Sequence, residues 1–287
     1  MFSIIIPSYN NLNYLKLCIQ SLKKNSKFKH EIVVHVNDGK DGTLDFVKEE
    51  NIKFTYTSYN AGICEGVNKA SKVSTMKYLL YSHDDFYFCP DWDTTFVNEI
   101  KILKTNLFYL SGTMINNGQV NLECGTNLEN FNEEKLLTKY KDIKFHDFQG
   151  STWAPHLIHI NTWNKVGGFS EEYFPGTASD PDLNKKLWDI GVRVFKGLQH
   201  SKVYHFGSIV TRQREKNYNY PTESGSKGSK IFLLKWGFSI KFFKKFYLKS
   251  NEIYYGPLEN PIRNFNYFYE LLICKVYLFY LKIFFKS

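Results

Sequence analysis

The chain has 287 residues, 43% hydrophobic and 17% aromatic, which is enough to bury a full core and excludes a disordered polypeptide. Its five cysteines, Cys18, Cys64, Cys89, Cys124 and Cys274, are scattered with no CxxC pair, arguing against a disulfide framework or zinc site and for a reducing compartment. The net charge of +9 is lopsided: residues 1–211 balance 23 basic against 23 acidic side chains, whereas residues 212–287 carry 14 basic against 5 acidic. A neutral body with a basic, aromatic tail points to an anionic partner for the tail alone. The tail's bulky aliphatic residues favour a membrane surface over nucleic acid.

Met1 leads directly into Phe2-Ser3-Ile4-Ile5-Ile6, an apolar run too short for a signal peptide and lacking its basic flank. Stopped by Pro7, Phe2–Ile6 reads as a buried strand. Asn10 or Asn11 then caps a helix with Leu12, Leu15, Ile19 and Leu22 at helical spacing. Glu31–Val36 is a β-branched strand closed by the turn Asn37-Asp38-Gly39. A helix over Thr43–Glu50, a short strand Lys53–Tyr56, a helix Gly62–Lys72 and a strand Tyr78–Ser82 follow. Strands separated by helices imply a parallel sheet with right-handed crossovers.

Beyond residue 90 the pattern loosens. Asp91–Leu103 reads as a helix, Leu107–Gly112 as a strand, and Asn161–Val166 as a short helix ended by Gly167-Gly168. Residues 113–150 give little. Asp180–Ile190 is a clear helix stopped by Gly191, with Val192–Phe195 and Lys202–His205 as short strands after it. Glu223–Lys230 reads as a polar linker without phosphate-loop spacing. The organisation is thus a body over 1–211, a linker over 212–230 and a basic aromatic helical tail over 231–287. Neither tail segment, Ile231–Leu248 or Tyr267–Phe285, has the roughly 20 uncharged apolar residues that span a bilayer. Each reads either as a helix in the membrane interface or as a helical subdomain packed on the body.

The most informative feature is Ser82-His83-Asp84-Asp85 at the carboxyl end of an apolar strand. Two buried carboxylates are costly unless a cation or a ligand compensates them, and ligands of open α/β sheets bind in the crevice outside the strand ends. This suggests a metal-dependent site that handles phosphates. Pro7, Tyr9 and Asn10 end the first strand, Asp38 follows the second, and Asn60-Ala61-Gly62 opens the helix that carries Asn68. All of them belong at the same crevice.

Taken together, "SIIIPSYN", "NDGKDGT", "NAG" and "SHDD" in this order resemble the family 2 glycosyltransferases over roughly residues 1–210. Trp163–Phe169, Ser179-Asp180-Pro181-Asp182-Leu183 and Tyr204-His205-Phe206-Gly207-Ser208 look like that family's later motifs. The resemblance implies a GT-A type Rossmann-like mixed sheet flanked by helices, with a C-terminal helical appendage. It also implies inverting transfer of a sugar from a nucleotide diphosphate, UDP by preference, to a glycan or lipid-linked acceptor. Mn²⁺ or Mg²⁺ would be the cofactor, and nucleic acid would not be a partner.

By the same resemblance Pro7, Tyr9, Asn10 and Asp38 line the base and ribose pocket, with Asn60, Gly62, Asn68, Ser82 and His83 near the nucleotide. Asp84 is then the metal ligand, His205 a further one, and Asp180 the catalytic base, with Asp85 and Asp182 as additional acids. Ser82 and Ser179 stand where the family carries acidic residues. Losing the charge beside Asp180 should ease its ionisation. The residues alone also allow Asp38 as a turn former, Asp180 as a helix cap with Pro181 first in the helix, and His205 as a strand-end histidine. A glycoside hydrolase and a non-catalytic glycan- or nucleotide-binding module are the competing readings. The basic tail implies a cytoplasmic protein docked on the inner membrane face.

Overall fold

In the computed structural model, which describes residues 1–207, 224–250 and 252–284, strands β1 (Phe2–Tyr9), β2 (Glu31–Asn37), β3 (Lys53–Thr57) and β4 (Tyr78–Tyr81) form a parallel layer. Helices α1 (Leu12–Asn25), α2 (Thr43–Glu49) and α3 (Gly62–Lys72) connect them. The near-continuous apolar run of β1 is the signature of a strand covered on both faces, and its first seven residues are all buried.

The sheet then changes direction. β8 (His156–His159) runs antiparallel to β4, β6 (Phe108–Ile115) antiparallel to β8, and β9 (Val194–His205) parallel to β6. β5 (Phe86–Phe88) and β7 (Phe148–Gln149) both pair antiparallel with β9. The order across the sheet is β3-β2-β1-β4-β8-β6-β9-β5. The longer helices that follow are α4 (Trp92–Leu103), α5 (Glu133–Lys139), α6 (Ile160–Val166), α7 (Ser179–Asp189), α8 (Ser224–Trp236) and α9 (Phe265–Phe284), with a further helical stretch over residues 240–248 between the last two.

Three local expectations change. Pro7 does not stop β1, which continues to Tyr9. Ile5 offers its carbonyl to Ser82 N on the β4 side, so the missing Pro7 N–H, two residues on, faces the same side. Pairing with β4 has already ended there at Ile5↔Tyr81, and no ladder bond is lost. The two short strands expected near residues 192–205 are one strand, because β6 pairs along its whole length with a bulge between Ser111 and Thr113.

The polar segment before residue 231 is helical from Ser224, while residues 212–223 of the expected linker lie outside the described residues. Gly228 lets that helix lie close against the body, since a Cβ there would stand 2.3 Å from the Thr177 carbonyl oxygen.

The first part of the tail packs on the body. Phe232, Phe242, Phe243 and Leu248 are buried in the main core, each such burial contributing about 1.5–3 kcal/mol. Asp182 is the polar anchor of this contact. Its fully buried carboxylate accepts from Ser170 Oγ (2.6 Å), Tyr173 OH (3.2 Å) and Trp236 Nε1 (2.8 Å), and pairs with Lys235 Nζ (3.0 Å). Asp182→Ala leaves the half-buried Trp236 N–H and the Tyr173 hydroxyl without this acceptor, while Lys235 keeps Glu172 (2.8 Å), and is expected to cost about 1–3 kcal/mol, read from a denaturant midpoint at unchanged slope.

Candidate active site

β1 and β4 part beyond Ile5↔Tyr81, and the turns after β1, β2 and β4 open into the resulting crevice. On the β1–β2 side, Asn10 and Asp38 both adopt left-handed backbone conformations, with φ of 47° and 63°. Asn10 Nδ2 donates to Asp38 Oδ2 (3.1 Å) and Lys40 Nζ pairs with Asp38 Oδ1 (3.1 Å). Those two donors, the amide first, hold the Asp38 carboxyl below its ordinary range. Tyr9 ends β1 directly opposite Asn37, whose Oδ1 accepts from Ala61 N (2.9 Å). Pro7 pairs with His35 and lies buried under α3 at Gly66.

The Asn60 side chain accepts from Gly62 N (3.0 Å), where φ is 71° and a Cβ would meet Phe174 and the Pro175 carbonyl. Only glycine fits that approach. Asn68 is occupied elsewhere: it accepts from Phe169 N (2.9 Å) and donates to Phe169 O (2.9 Å) and Glu171 Oε1 (3.1 Å). It clamps α3 to the turn after α6 rather than offering its amide to a diphosphate.

Past β4, the buried Ser82 hydroxyl donates to its neighbour's carbonyl, His83 O (2.9 Å). The two acids that follow diverge. Asp84 accepts from Ser8 Oγ (2.8 Å), and burial together with the adjacent Asp85 charge raises its pKa. Asp85 instead stands between two imidazoles, 3.9 Å from His83 Nδ1 and 3.6 Å from His205 Nε2. The resemblance assigns the cation to Asp84; the carboxylate grouped with the imidazoles is Asp85.

One ligand atom from each of His83, Asp85 and His205 lies within 4.8 Å of the others. His205 Nε2 is buried and has no hydrogen-bond partner among the described residues, while Nδ1 lies 3.3 Å from Asn117 O. Desolvation drives the His83 pKa down to about 4, so that ring is neutral and able to ligate.

Asp180 sits in the first turn of α7 behind Ala178, which is left-handed at the helix start. It makes no side-chain cap, and Pro181 is the third helical residue rather than the first. Asp180 keeps 28% side-chain exposure, yet its Oδ1 is out of water with no hydrogen-bond partner among the described residues. That desolvation lifts its pKa to about 7, against a lowering pull from Lys244. The easier ionisation expected from Ser179 is therefore outweighed by burial. His156 Nδ1 lies 3.8 Å from Asp180 Oδ1 and 2.9 Å from Tyr109 OH. Its burial drives the ring's pKa to about 3, so the contact is not an ion pair.

Tyr81 joins the two halves. Its ring centroid lies 5.4 Å from that of His83 and 5.1 Å from that of His156. A continuous row of side chains therefore runs from Asp85 through His83, Tyr81 and His156 to Asp180. Sequence reasoning missed Tyr81, His156 and Lys244. The first two meet through the antiparallel register Tyr81↔His156, and Lys244 arrives from the tail. No local period signals either encounter. Asp182, expected as an additional acid, is taken up by the tail contact described above.

The comparisons with known proteins agree with this architecture. The family description "Glycosyl transferase family 2" matches residues 3–155, more than half of the chain. The chain is 28% identical over 246 residues to a chondroitin synthase of Pasteurella multocida, covering 77% of this chain and 24% of that protein. It is also 28% identical to a hyaluronan synthase of the same species, over 67% of this chain and 19% of that protein. It thus spans about a quarter or less of those two relatives. An uncharacterized glycosyltransferase of Rickettsia prowazekii is 32% identical over 75% of this chain and 64% of its own length. Among solved structures, S. aureus TarS in complex with UDP-GlcNAc superposes with a TM-score of 0.53 at 18% identity, over 85% of this chain and 74% of that one. A mixed sheet flanked by helices, with its strand ends turned to one crevice, is the GT-A fold, and this chain belongs to glycosyl transferase family 2.

Proposed function

We propose that the enzyme transfers a sugar from a uridine diphosphate sugar to a hydroxyl of a glycan or lipid-linked acceptor, with inversion, a divalent cation on one side and Asp180 as general base on the other. The observation that carries this reading is the row Asp85–His83–Tyr81–His156–Asp180, which links a cluster able to hold a cation to a carboxyl tuned for proton transfer. The TarS structure with UDP-GlcNAc supports the choice of donor.

The donor set fits a cation, because His83, Asp85 and His205 converge and His205 Nε2 is a buried nitrogen with no hydrogen-bond partner among the described residues. Two imidazoles and one carboxylate suit Mn²⁺ better than Mg²⁺, which prefers oxygen ligands. A cation bound there supplies positive charge where the departing diphosphate gathers negative charge. Asn10 and Asp38, fixed by their mutual hydrogen bond, would orient the uracil and ribose. Asp180 would accept the acceptor's proton as its oxygen attacks the anomeric carbon, and a single displacement from the face opposite the diphosphate inverts that centre. A carboxyl with a pKa near the working pH suits this role. The proposed location is the cytoplasmic face of a membrane, held through residues 231–287.

A panel of nucleotide sugars assayed with MnCl₂ tests the reading. Release of the nucleoside diphosphate is expected with UDP-sugars and not with other nucleotide sugars, with stimulation by acceptor. The base works only when deprotonated, so kcat/KM should fall about tenfold per pH unit below about 7 and be flat above it. Turnover indifferent to the nucleotide, or rising as the pH falls, overturns it.

A further inference from the structure

We propose that the outward face of α9 is an in-plane anchor that seats the enzyme on an anionic phospholipid surface. One side of α9 packs on the body through Tyr267, Cys274 and Leu281, all buried. On the opposite side Phe265, Phe268, Leu272, Val276, Phe279 and Ile283, spaced by three or four residues, are each between 49% and 86% exposed. That spacing makes one stripe running the length of the helix. The single acid in α9, Glu270, is off the stripe, half-buried and bonded to Lys245. Lys275 and Lys282, both exposed and two turns apart, run along its border.

An apolar stripe of this size facing water marks a contact surface. Charge decides the occupant. A second copy would bring two strongly basic tails together, each with 14 basic against 5 acidic side chains over residues 212–287, whereas an anionic lipid surface complements them. Phenylalanine and leucine on one face with lysine at its edge is also the composition of helices that lie about 5–10 Å deep in the headgroup boundary. Among the described residues no helix is long and apolar enough to cross a membrane, which fits a helix lying flat. Seated this way, α9 would hold the enzyme beside a lipid-linked acceptor.

The inference rests on the membrane location proposed above and not on the transfer chemistry. The test is cosedimentation of the full chain with phosphatidylcholine vesicles, with and without phosphatidylglycerol. The wild-type chain should bind the anionic vesicles. Leu272→Gln/Val276→Gln/Phe279→Gln should bind them at least about tenfold more weakly with an unchanged melting temperature, and Lys275→Gln/Lys282→Gln should lose the preference for phosphatidylglycerol. Undiminished binding of the triple variant overturns the role of this face while leaving the membrane location standing. No binding by the wild-type chain overturns both. A lipid-free dimer that the triple variant converts to monomer, with vesicle binding retained, assigns the face to a second copy and overturns the proposal.

Discussion

Asp180→Asn is expected to lower kcat by about 10²–10⁴-fold, the range that removal of a general base costs. The substitution keeps the shape of the side chain and removes only its capacity to take a proton. Little should change in folding, since Oδ1 has no hydrogen-bond partner among the described residues and His156 beside it is neutral. Asparagine also removes the cost of desolvating a charge, so stability should hold or rise slightly. UDP-release kinetics alongside a thermal melt separate the two effects. Turnover near the wild-type rate removes Asp180 as the base. A rise in KM with kcat unchanged would assign it to binding instead.

Asp85→Ala and His205→Ala are expected to abolish Mn²⁺-dependent binding of UDP, weakening it by more than about 100-fold, since each removes a candidate ligand rather than a supporting partner. Calorimetry with and without Mn²⁺ reads this directly. Asp84→Ala is the informative contrast. Asp84 accepts a hydrogen bond from Ser8, whereas Asp85 lies within 3.9 Å of both imidazoles. Its loss should cost less metal affinity than loss of Asp85. The reverse order would return the metal to Asp84, the position the family motif assigns.

The first half of the fold was legible because its signals are local. Apolar runs of β-branched residues, helical spacing in α1 and α3, and turn residues at Asp38-Gly39 and Asn60-Ala61-Gly62 are each encoded within about ten positions. The crevice followed from the parallel alternation. What could not be read depends on pairing between distant segments. β8 enters the sheet beside β4 and delivers His156 to Tyr81, and β5 pairs with β9 to bring His205 back to Asp85.

Local rules also failed where geometry alternates over one residue. Asp84 and Asp85 are adjacent in the chain, and nothing in a run of two acids says which carboxylate turns toward the histidines. Burial made the remaining difference. Ser179 suggested an easily ionised Asp180, while the structure surrounds that acid with enough protein to raise its pKa to about 7. The tail was legible as basic and aromatic, but only packing separates α8, which joins the core, from α9, which keeps one face outside.

The most direct test of the central claim is an anomalous difference map at the manganese edge, from crystals of the full chain grown with UDP and MnCl₂. One strong peak is expected, bounded by His83, Asp85 and His205, with the diphosphate against it and the open side of the cleft leading to Asp180. Manganese bound away from those three residues, or UDP seated where the Asp180 carboxylate faces a different cavity, would contradict it.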